Sequence, residues 1–95
     1  MLEWSPSAFE DREAIFDYIA AESPKAAAIM DAAISRQVER LLAHPQSGRM
    51  GLVPGTRELP IPRSPYLVAY RILEDRIRLL RILHGAQSWP GQMED

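Results

Sequence analysis

Cysteine is absent from this sequence of 95 residues, and histidine occurs only twice, as His44 and His84. Without cysteine the chain has no disulfide framework, no thiol nucleophile and no thiolate ligand for a metal ion. Two histidines are too few for a histidine-rich metal site, so we expect neither a metal nor another cofactor. The lack of cysteine also fits a reducing compartment, and we expect a cytoplasmic protein.

Long apolar segments are missing as well. No uninterrupted apolar run approaches the roughly 20 residues that cross a bilayer. Residues 1–4 do not show the basic and apolar regions that open a secretory signal peptide. The length fits one domain that spans residues 1–95. We therefore expect a single domain with no association with a membrane.

Lysine is almost absent too, since Lys25 is the one lysine in the chain. Residues 1–55 contain eight acidic and five basic residues, whereas residues 56–84 contain six arginines and three acidic residues. The net charge therefore changes from −3 in the first part to +3 in the second. Guanidinium groups make bidentate contacts with phosphates and carboxylates, which predicts a partner-binding surface in the second part. The alternative is that each arginine is a solvated residue on a strand.

Two amphipathic helices are predicted in the first half, over about residues 5–44. Each begins at a Ser-Pro pair, at Ser5 and at Ser23, because serine caps helix N-termini and proline is tolerated at the first helical position. Pro45 ends the second helix near His44. The short connection predicts an antiparallel helical hairpin.

Apolar positions that recur every three or four residues define the faces that should turn inward. In the second helix these positions are Ala27, Met30, Ile34, Val38 and Leu41. In the first helix they are Phe9, Ile15, Phe16, Ile19 and Ala20. The solvent side of the first helix should carry Asp11, Arg12 and Asp17.

The second half predicts a small sheet over about residues 56–84. Residues 45–55 are rich in proline and glycine and should form a loop, and such long loops are usually functional or mobile. The period then becomes strand-like, with strands at about 56–59, 66–73 and 76–83. An additional edge strand is predicted at residues 1–4, and residues 85–95 form a tail. The fold class is α+β, with the N-terminal strand and the helical hairpin packed on a twisted, mainly antiparallel sheet.

The turn between the last two strands fixes their expected register. If Glu74 and Asp75 form a two-residue turn, Leu73 lies opposite Arg76, and Tyr70 lies opposite Leu79. Strict alternation then places one set on one face: Tyr66, Val68, Tyr70, Ile72, Ile77, Leu79, Arg81 and Leu83. The other face would carry Leu67, Ala69, Arg71, Leu73, Arg76, Arg78, Leu80, Ile82 and His84.

Several segments in this order resemble the RelE/ParE superfamily of toxins from type II toxin–antitoxin systems. They are Leu-Leu-Ala-His-Pro-Gln-Ser-Gly-Arg at 41–49, Gly-Thr-Arg-Glu-Leu at 55–59, Tyr-Leu-Val-Ala-Tyr-Arg-Ile at 66–72 and Ile-Arg-Leu-Leu-Arg-Ile-Leu-His-Gly at 77–85. The similarity covers most of the chain. It rests on the combination and order of these segments rather than on any single motif.

The resemblance implies a growth-arresting toxin that a cognate antitoxin wraps and neutralises, in a heterotetramer or a larger complex. Members of the superfamily stabilise plasmids, and they differ in their target. RelE-like members cut messenger RNA on the ribosome, whereas ParE-like members poison DNA gyrase without known nuclease activity. A third alternative is a degenerate relative that has lost its toxicity.

The chain is closer to the ParE-like branch. The family's arginine near the start of the apolar strand falls on or near Leu67, and the segment before it has no lysine. We therefore favour a gyrase-binding toxin that is not an enzyme. In the nuclease alternative, a metal-independent mRNA interferase, the catalytic candidates are His84, Arg81 and Arg57. In the binding alternative, the partner-binding candidates are Arg71, Arg76, Arg78, Tyr66, Tyr70 and Trp89.

Overall fold

A computed structural model describes residues 1–85 of the chain. The elements follow the order β1 (Leu2–Trp4), α1 (Pro6–Ala20), α2 (Pro24–Arg40), β2 (Arg49–Met50), β3 (Arg57–Pro60), β4 (Tyr66–Ile72) and β5 (Ile77–His84). Both helices begin as predicted, because the hydroxyls of Ser5 and Ser23 accept hydrogen bonds from the backbone three residues on. The α+β class predicted from the sequence is confirmed.

The inward face of α2 is confirmed in full. Ala27, Ile34, Val38 and Leu41 are buried, and Met30 packs against the core. The steps of three and four residues thus place one stripe of side chains against the sheet.

The predicted inward face of α1 is wrong in part. Phe9 and Phe16 are exposed, whereas Ala8 is fully buried and Ile15 packs against the core. Asp11 and Arg12 do not lie on the solvent side, because both make ion pairs with neighbouring elements. The helix therefore turns a face of small, polar and aliphatic residues inward, and hydrophobic periodicity alone could not identify it.

The five strands form one sheet in the order β1-β5-β4-β3-β2. β1 is an edge strand, as predicted, and runs parallel to β5, whereas the other neighbours are antiparallel. The second edge strand, β2, lies inside the segment that was predicted to be a loop. It consists of two residues, which is too short for a periodic signal in the sequence.

The hairpin between β4 and β5 has the predicted register only near its turn. Leu73 donates a backbone hydrogen bond to Arg76, and Tyr70 lies opposite Leu79. A β-bulge at Leu80 then shifts the register, so that Arg81 lies opposite Ala69. An extra residue in one strand inverts the faces beyond it.

The predicted faces of β5 beyond the bulge are therefore wrong. Ile82 lies opposite Val68 and belongs to the core with it, whereas Arg81 and Leu83 turn to the other face. Side chains from both helices and from one face of the sheet build the main core. Neither described helix is long and apolar enough to span a membrane.

Candidate functional site

The sheet face turned away from the helices carries most of the charged residues of the second half. The register places Glu58, Ala69 and Arg81 in one row across β3, β4 and β5. Arg71 and Arg78 form a second row, which continues to Glu3 on β1. We call this side the outward face. Both rows result from cross-strand pairing, since paired residues point to the same side of a sheet.

A depression of about 300 Å³ lies on the outward face. Its lining combines charged and apolar side chains from the end of the sheet and from the segment around β2: Arg49, Met50, Leu52, Glu58, Leu67, Leu83, His84 and Gly85. The lining includes one candidate from the sequence, His84, and also Glu58, which the sequence indicated as part of the Arg-Glu-Leu strand. The register turns the two side chains to opposite sides of the sheet, since His84 pairs with Tyr66 on the core side and Glu58 with Ala69 on the outward face.

Glu58 is buried, with a residue exposure of 5%, and its carboxylate is held from two sides. Arg49 donates from Nε to Oε1 at 3.2 Å and approaches the same oxygen with Nη2 at 3.1 Å. The backbone amide of Leu52 donates to Oε2 at 3.4 Å. A carboxylate with these contacts holds β2 against β3, and it is less available as a general base.

His84 lies at the end of β5, exposed, with its ring against the ring of Tyr66. The two ring centroids are 5.9 Å apart in an edge-to-face arrangement, which is a favourable geometry for aromatic pairs. The pair follows from the register, because Tyr66 and His84 lie directly opposite each other. Tyr66 also packs against the core.

Arg57 and Arg81 lie on opposite faces of the sheet. Arg57 lies opposite Tyr70, on the helix side, and its Nη1 donates to the backbone oxygen of Gly48 at 2.8 Å. Arg81 donates from Nε and Nη2 to the two oxygens of Asp11, at 2.7 and 3.1 Å. The three candidates for nuclease chemistry, His84, Arg81 and Arg57, therefore do not converge on one point.

Arg76 and Arg78 share one carboxylate near the hairpin turn. Both donate to Oε1 of Glu3 at 2.8 Å, and Arg76 also pairs with Asp75. The Nε of Arg78 is buried and has no hydrogen-bond partner within residues 1–85. Arg71 lies opposite Arg78. Three guanidinium groups, those of Arg71, Arg76 and Arg78, thus lie close together at this end of the outward face.

Tyr70 is fully buried and anchors the loop that follows α2. Its hydroxyl donates to the backbone oxygen of Pro45 at 2.7 Å and accepts from the amide of Gly48 at 2.9 Å. Burial raises the pKa of Tyr70, and the hydrogen bond from Gly48 and the charge of Arg57 partly oppose this effect. Of the other predicted partner-binding residues, Tyr66 is half-buried, and Trp89 lies outside the described residues.

The sequence did not identify Asp11 and Glu3 as the partners of these arginines. Each lies about 70 or more positions from its partner along the chain. Asp11 lies on a helix and Glu3 on a strand, at positions where the sequence pattern predicts exposure to solvent. No local signal could therefore have identified them as partners of these arginines.

Two of the carboxylates make the stability of the fold dependent on pH. Hydrogen bonds from Arg76 and then Arg78 lower the pKa of Glu3, and a hydrogen bond from Arg12 lowers that of Asp31. A carboxyl with a lowered pKa stabilises the folded state above its unfolded pKa of about 4. That contribution is lost as the pH falls through the folded pKa.

We therefore expect the urea midpoint of the protein to fall as the pH drops below about 4. The variants Glu3→Gln and Asp31→Asn should unfold at lower urea than the wild type at neutral pH, and they should approach the wild type in acid. Urea titrations at several pH values measure this convergence. A constant difference between variant and wild type across the acid range would contradict the prediction.

The geometry defines a small α+β protein in which a helical hairpin covers one face of a five-stranded sheet and arginines occupy the other. Residues 2–89 match the family model described as the ParE toxin of the type II toxin–antitoxin system parDE. The chain therefore belongs to the ParE toxin family, within the RelE/ParE superfamily.

Related proteins and one solved structure agree with this assignment. The candidate toxin Y4kP of Sinorhizobium fredii is 37% identical over 94% of this chain and 92% of its own length. Toxin RelE2 of Caulobacter vibrioides is 30% identical over 88% of this chain and 93% of its own. A structure of the chromosomal ParDE system of P. aeruginosa has a TM-score of 0.78 and 34% identity, over 87% of this chain and 92% of that one. The resemblance inferred from the sequence is confirmed.

Proposed function

We propose that this ParE-family toxin arrests growth by binding DNA gyrase in the cytoplasm, and that a cognate antitoxin neutralises it. The observation that carries the proposal is the composition of the outward depression. The position that resembles the family's strand arginine falls on or near Leu67, which lines the depression, and the carboxylate of Glu58 is held by Arg49 and the amide of Leu52. Cleavage of RNA needs a cation that steadies the phosphorane, and the arginine in the described lining is already committed to Glu58, which favours binding.

The antitoxin part of the proposal rests on exposed apolar surface beside positive charge. Large apolar side chains are exposed on both helices and around β2, including Phe9, Ile29, Met50 and Leu52. Such surface marks partner sites when it is contiguous. An acidic antitoxin segment that folds on binding would cover apolar surface and neutralise arginines together, in a heterotetramer or a larger complex. A plasmid that carries the pair would be stabilised by it.

The proposal predicts that induction of the chain in bacteria stops growth and triggers a DNA-damage response. The purified protein should inhibit supercoiling by gyrase, and co-expression with the adjacent small open reading frame should restore growth. His84→Ala is the matched control, because a binding toxin keeps its activity without this ring. Supercoiling that continues at a stoichiometric excess of the protein would contradict the gyrase target.

A second candidate function is ribosome-dependent cleavage of messenger RNA. Two observations favour it: Glu58 and His84 line one depression, and two relatives carry the name RelE. In this alternative Glu58 acts as base and His84 as acid. Codon-phased cuts after induction, lost in His84→Ala, would replace the gyrase proposal. Undisturbed growth with verified folded protein would instead indicate a relative without toxicity.

A further inference from the structure

Three exposed arginines lie together on the side of α2 that faces solvent. Arg36 and Arg40 are one helical turn apart, about 6 Å along the axis, and both are exposed. Arg63, on the connection between β3 and β4, lines the same groove as Arg36 and is exposed as well. We call these three residues the basic surface. It lies apart from the outward depression, since none of the three lines that depression.

Two depressions flank the basic surface, and neither has a carboxylate in its described lining. The first, of about 460 Å³, is lined by Ile29, Met30, Ala33, Arg36, Gln37, Pro62 and Arg63. The second, of about 530 Å³, is lined by Arg40, His44, Pro45, Gln46 and Ser47. Both linings combine arginine with neutral side chains that can donate hydrogen bonds. An anion on this surface would therefore meet donors and positive charge without repulsion from the lining residues.

Carboxylates within residues 1–85 do not neutralise the basic surface. The structure records no ion pair and no side-chain hydrogen bond of Arg36, Arg40 or Arg63 in this part of the chain. Other arginines do pair with carboxylates of the chain, among them Arg12, Arg76 and Arg81. Glu39 is exposed on the same helix, but it lines neither depression. Positive charge is thus concentrated here, although the net charge of the chain is −2.

Arg63 keeps a backbone conformation that local sterics disfavour. Its φ angle is 59°, and it is the one residue other than glycine with a positive φ among residues 1–85. Glycine or asparagine adopts this geometry more easily. The turn is also fixed, because the Ser64 hydroxyl donates to the oxygen of Ile61 at 2.9 Å and accepts from the amide of Tyr66 at 3.1 Å. An arginine retained at such a position points to a role for its side chain.

The chemistry of the basic surface fits a polyanion with a duplex structure. Duplex DNA has one negative charge per about 1.7 Å of its axis, so it presents phosphates to cations at almost any spacing. Arginine, glutamine and serine side chains are common phosphate contacts, and the two linings supply all three types. Proteins that bind single strands also stack bases on aromatic rings. Neither described lining contains phenylalanine, tyrosine or tryptophan, which favours a duplex.

We propose that Arg36, Arg40 and Arg63 bind the phosphate backbone of duplex DNA without reading its sequence. The choice of DNA rests on the proposed gyrase target, because a toxin bound to gyrase lies close to the duplex on which gyrase works. Three phosphate contacts give weak binding by themselves, and attachment to gyrase raises the effective concentration of the DNA. The basic surface therefore supplements the contact with the enzyme.

The first test measures the binding of the purified full chain to a short labelled DNA duplex by fluorescence anisotropy. Each neutralised phosphate contributes about −0.9 to the slope of log K against log salt concentration, so three contacts predict a slope of about −2.7. The affinity should then fall about 40-fold between about 50 and 200 mM salt. Absence of binding at low salt would overturn the inference.

Substitutions on α2 should change this slope by one contact at a time. Arg36→Gln and Arg40→Gln should each reduce it to about −1.8, which is a fall in affinity of about 12-fold over the same salt range. Arg36→Lys should keep the slope, because it keeps the charge. Ala14→Glu is the matched control, since it makes the same change in net charge at an exposed position of α1. It should leave the slope near −2.7.

The variants at Arg63 separate binding from folding. Arg63→Asn removes the charge and adopts the positive φ more easily, so its urea midpoint should be unchanged or higher. Its salt slope should nevertheless fall to about −1.8, and Arg63→Lys should keep the slope of the wild type. Arg40 lies in the last turn of α2, where a cation also stabilises the helix end. That role lowers stability in Arg40→Gln but does not change a salt slope.

The outcomes distinguish this inference from the function on which it rests. If the protein inhibits supercoiling and all the variants keep the wild-type slope, the basic surface is overturned while the gyrase target stands. If the slopes follow the prediction and supercoiling continues at an excess of the protein, the gyrase target fails and the DNA contact stands. Tighter binding of a single strand, or of a double-stranded RNA, than of the DNA duplex would make the inference wrong.

Discussion

Replacing Asp11 with alanine is expected to lower the free energy of unfolding by about 3 kcal/mol, because a mostly buried ion pair loses one partner. Asp11 keeps 18% of its side chain exposed and accepts three hydrogen bonds. Two come from Arg81, and the third comes from the backbone amide of Ile82 at 2.9 Å. In the variant, both groups lose this acceptor while they remain near the core.

The position of Asp11 explains the size of the effect. β1 pairs with β5 only as far as Leu79, and Ser5 makes the next contacts through its amide and hydroxyl, which donate to Leu79 and Leu80. Beyond Leu80, the backbone amide of Ile82 at the edge of β5 donates its hydrogen bond to Asp11 of α1. An amide without an acceptor in a buried setting costs about 1–3 kcal/mol.

Asp31→Ala is the control for the loss of a charged pair. Asp31 also binds an arginine through two hydrogen bonds, but its side chain is 35% exposed, against 18% for Asp11. Exposed pairs contribute about 0.2–1 kcal/mol, so this variant should change stability by less than 1 kcal/mol. Asp11→Asn should lie between the two. Urea unfolding followed by circular dichroism measures all three, and equal effects of Asp11→Ala and Asp31→Ala would contradict the prediction.

The ion pair between Arg81 and Asp11 also predicts why substitution of Arg81 should reduce activity. Arg81 was a catalytic candidate, yet two hydrogen bonds join its guanidinium group to Asp11, at the edge covered by α1. Loss of function in Arg81→Ala should therefore follow loss of stability. If Asp11→Ala and Arg81→Ala lose the same stability and the same activity, Arg81 supports the fold and does not contact a substrate.

The sequence predicted the elements whose signals are local. The stripe on α2 repeats over four turns, so five positions agree on one inward face. The Ser-Pro pairs start both helices, because capping involves only neighbouring residues. The hairpin turn at Glu74 and Asp75 sets the register of the residues next to it.

The sequence did not predict features that depend on the tertiary structure. The bulge at Leu80 has no glycine or proline to mark it, and one extra residue was enough to exchange the faces of Arg81 and Ile82. The inward position of Asp11 and Arg12 was missed for a related reason. A polar residue faces inward when a distant partner satisfies it, and hydrophobic periodicity contains no information about that partner.

In the candidate site, too, the sequence predicted the features that depend on composition and missed those that depend on the tertiary structure. Residue composition located the arginines on the second half, and the structure places several of them on one sheet face. Composition does not reveal which guanidinium groups are already paired. The ion pairs of Arg76, Arg78 and Arg81 close over distances of 70 or more positions. Arg36 and Arg63, for which the structure records no ion pair within residues 1–85, were not distinguished from them before the fold was known.

The second large effect is expected at Gly48, which follows α2 and precedes β2. A Cβ at this position would lie 2.6 Å from the hydroxyl oxygen of Tyr70 and 2.9 Å from the backbone oxygen of Glu58. Both distances are far below ordinary contact. The ring of Tyr70 is fully buried, and Glu58 belongs to a strand paired on both sides, so neither atom has room to move.

We therefore expect Gly48→Ala to displace the loop and break the hydrogen bonds that hold it. The bonds at risk join Tyr70 to Pro45 and Gly48, and Arg57 to the oxygen of Gly48 at 2.8 Å. One buried amide, that of Gly48, and two partly buried oxygens, those of Pro45 and Gly48, would lose their partners, which indicates a loss of about 3 kcal/mol in the free energy of unfolding. The lower entropy of alanine in the unfolded chain offsets only about 0.5 kcal/mol of this loss.

Gly85→Ala provides the control, because within residues 1–85 its Cβ would meet one backbone oxygen, that of Pro65, at 3.2 Å. It should cost less than about 1 kcal/mol. The double variant Gly48→Ala/Tyr70→Phe tests the cause. If Gly48→Ala breaks the contacts of the hydroxyl, the double variant should be less destabilised than the sum of the two single variants, because those contacts can be lost only once. The close approaches to the ring carbon Cε1 at 2.7 Å and to the oxygen of Glu58 at 2.9 Å remain in it. Strict additivity would show that Gly48 and Tyr70 act independently, and the close approach of the Tyr70 hydroxyl would then not explain a glycine at this position.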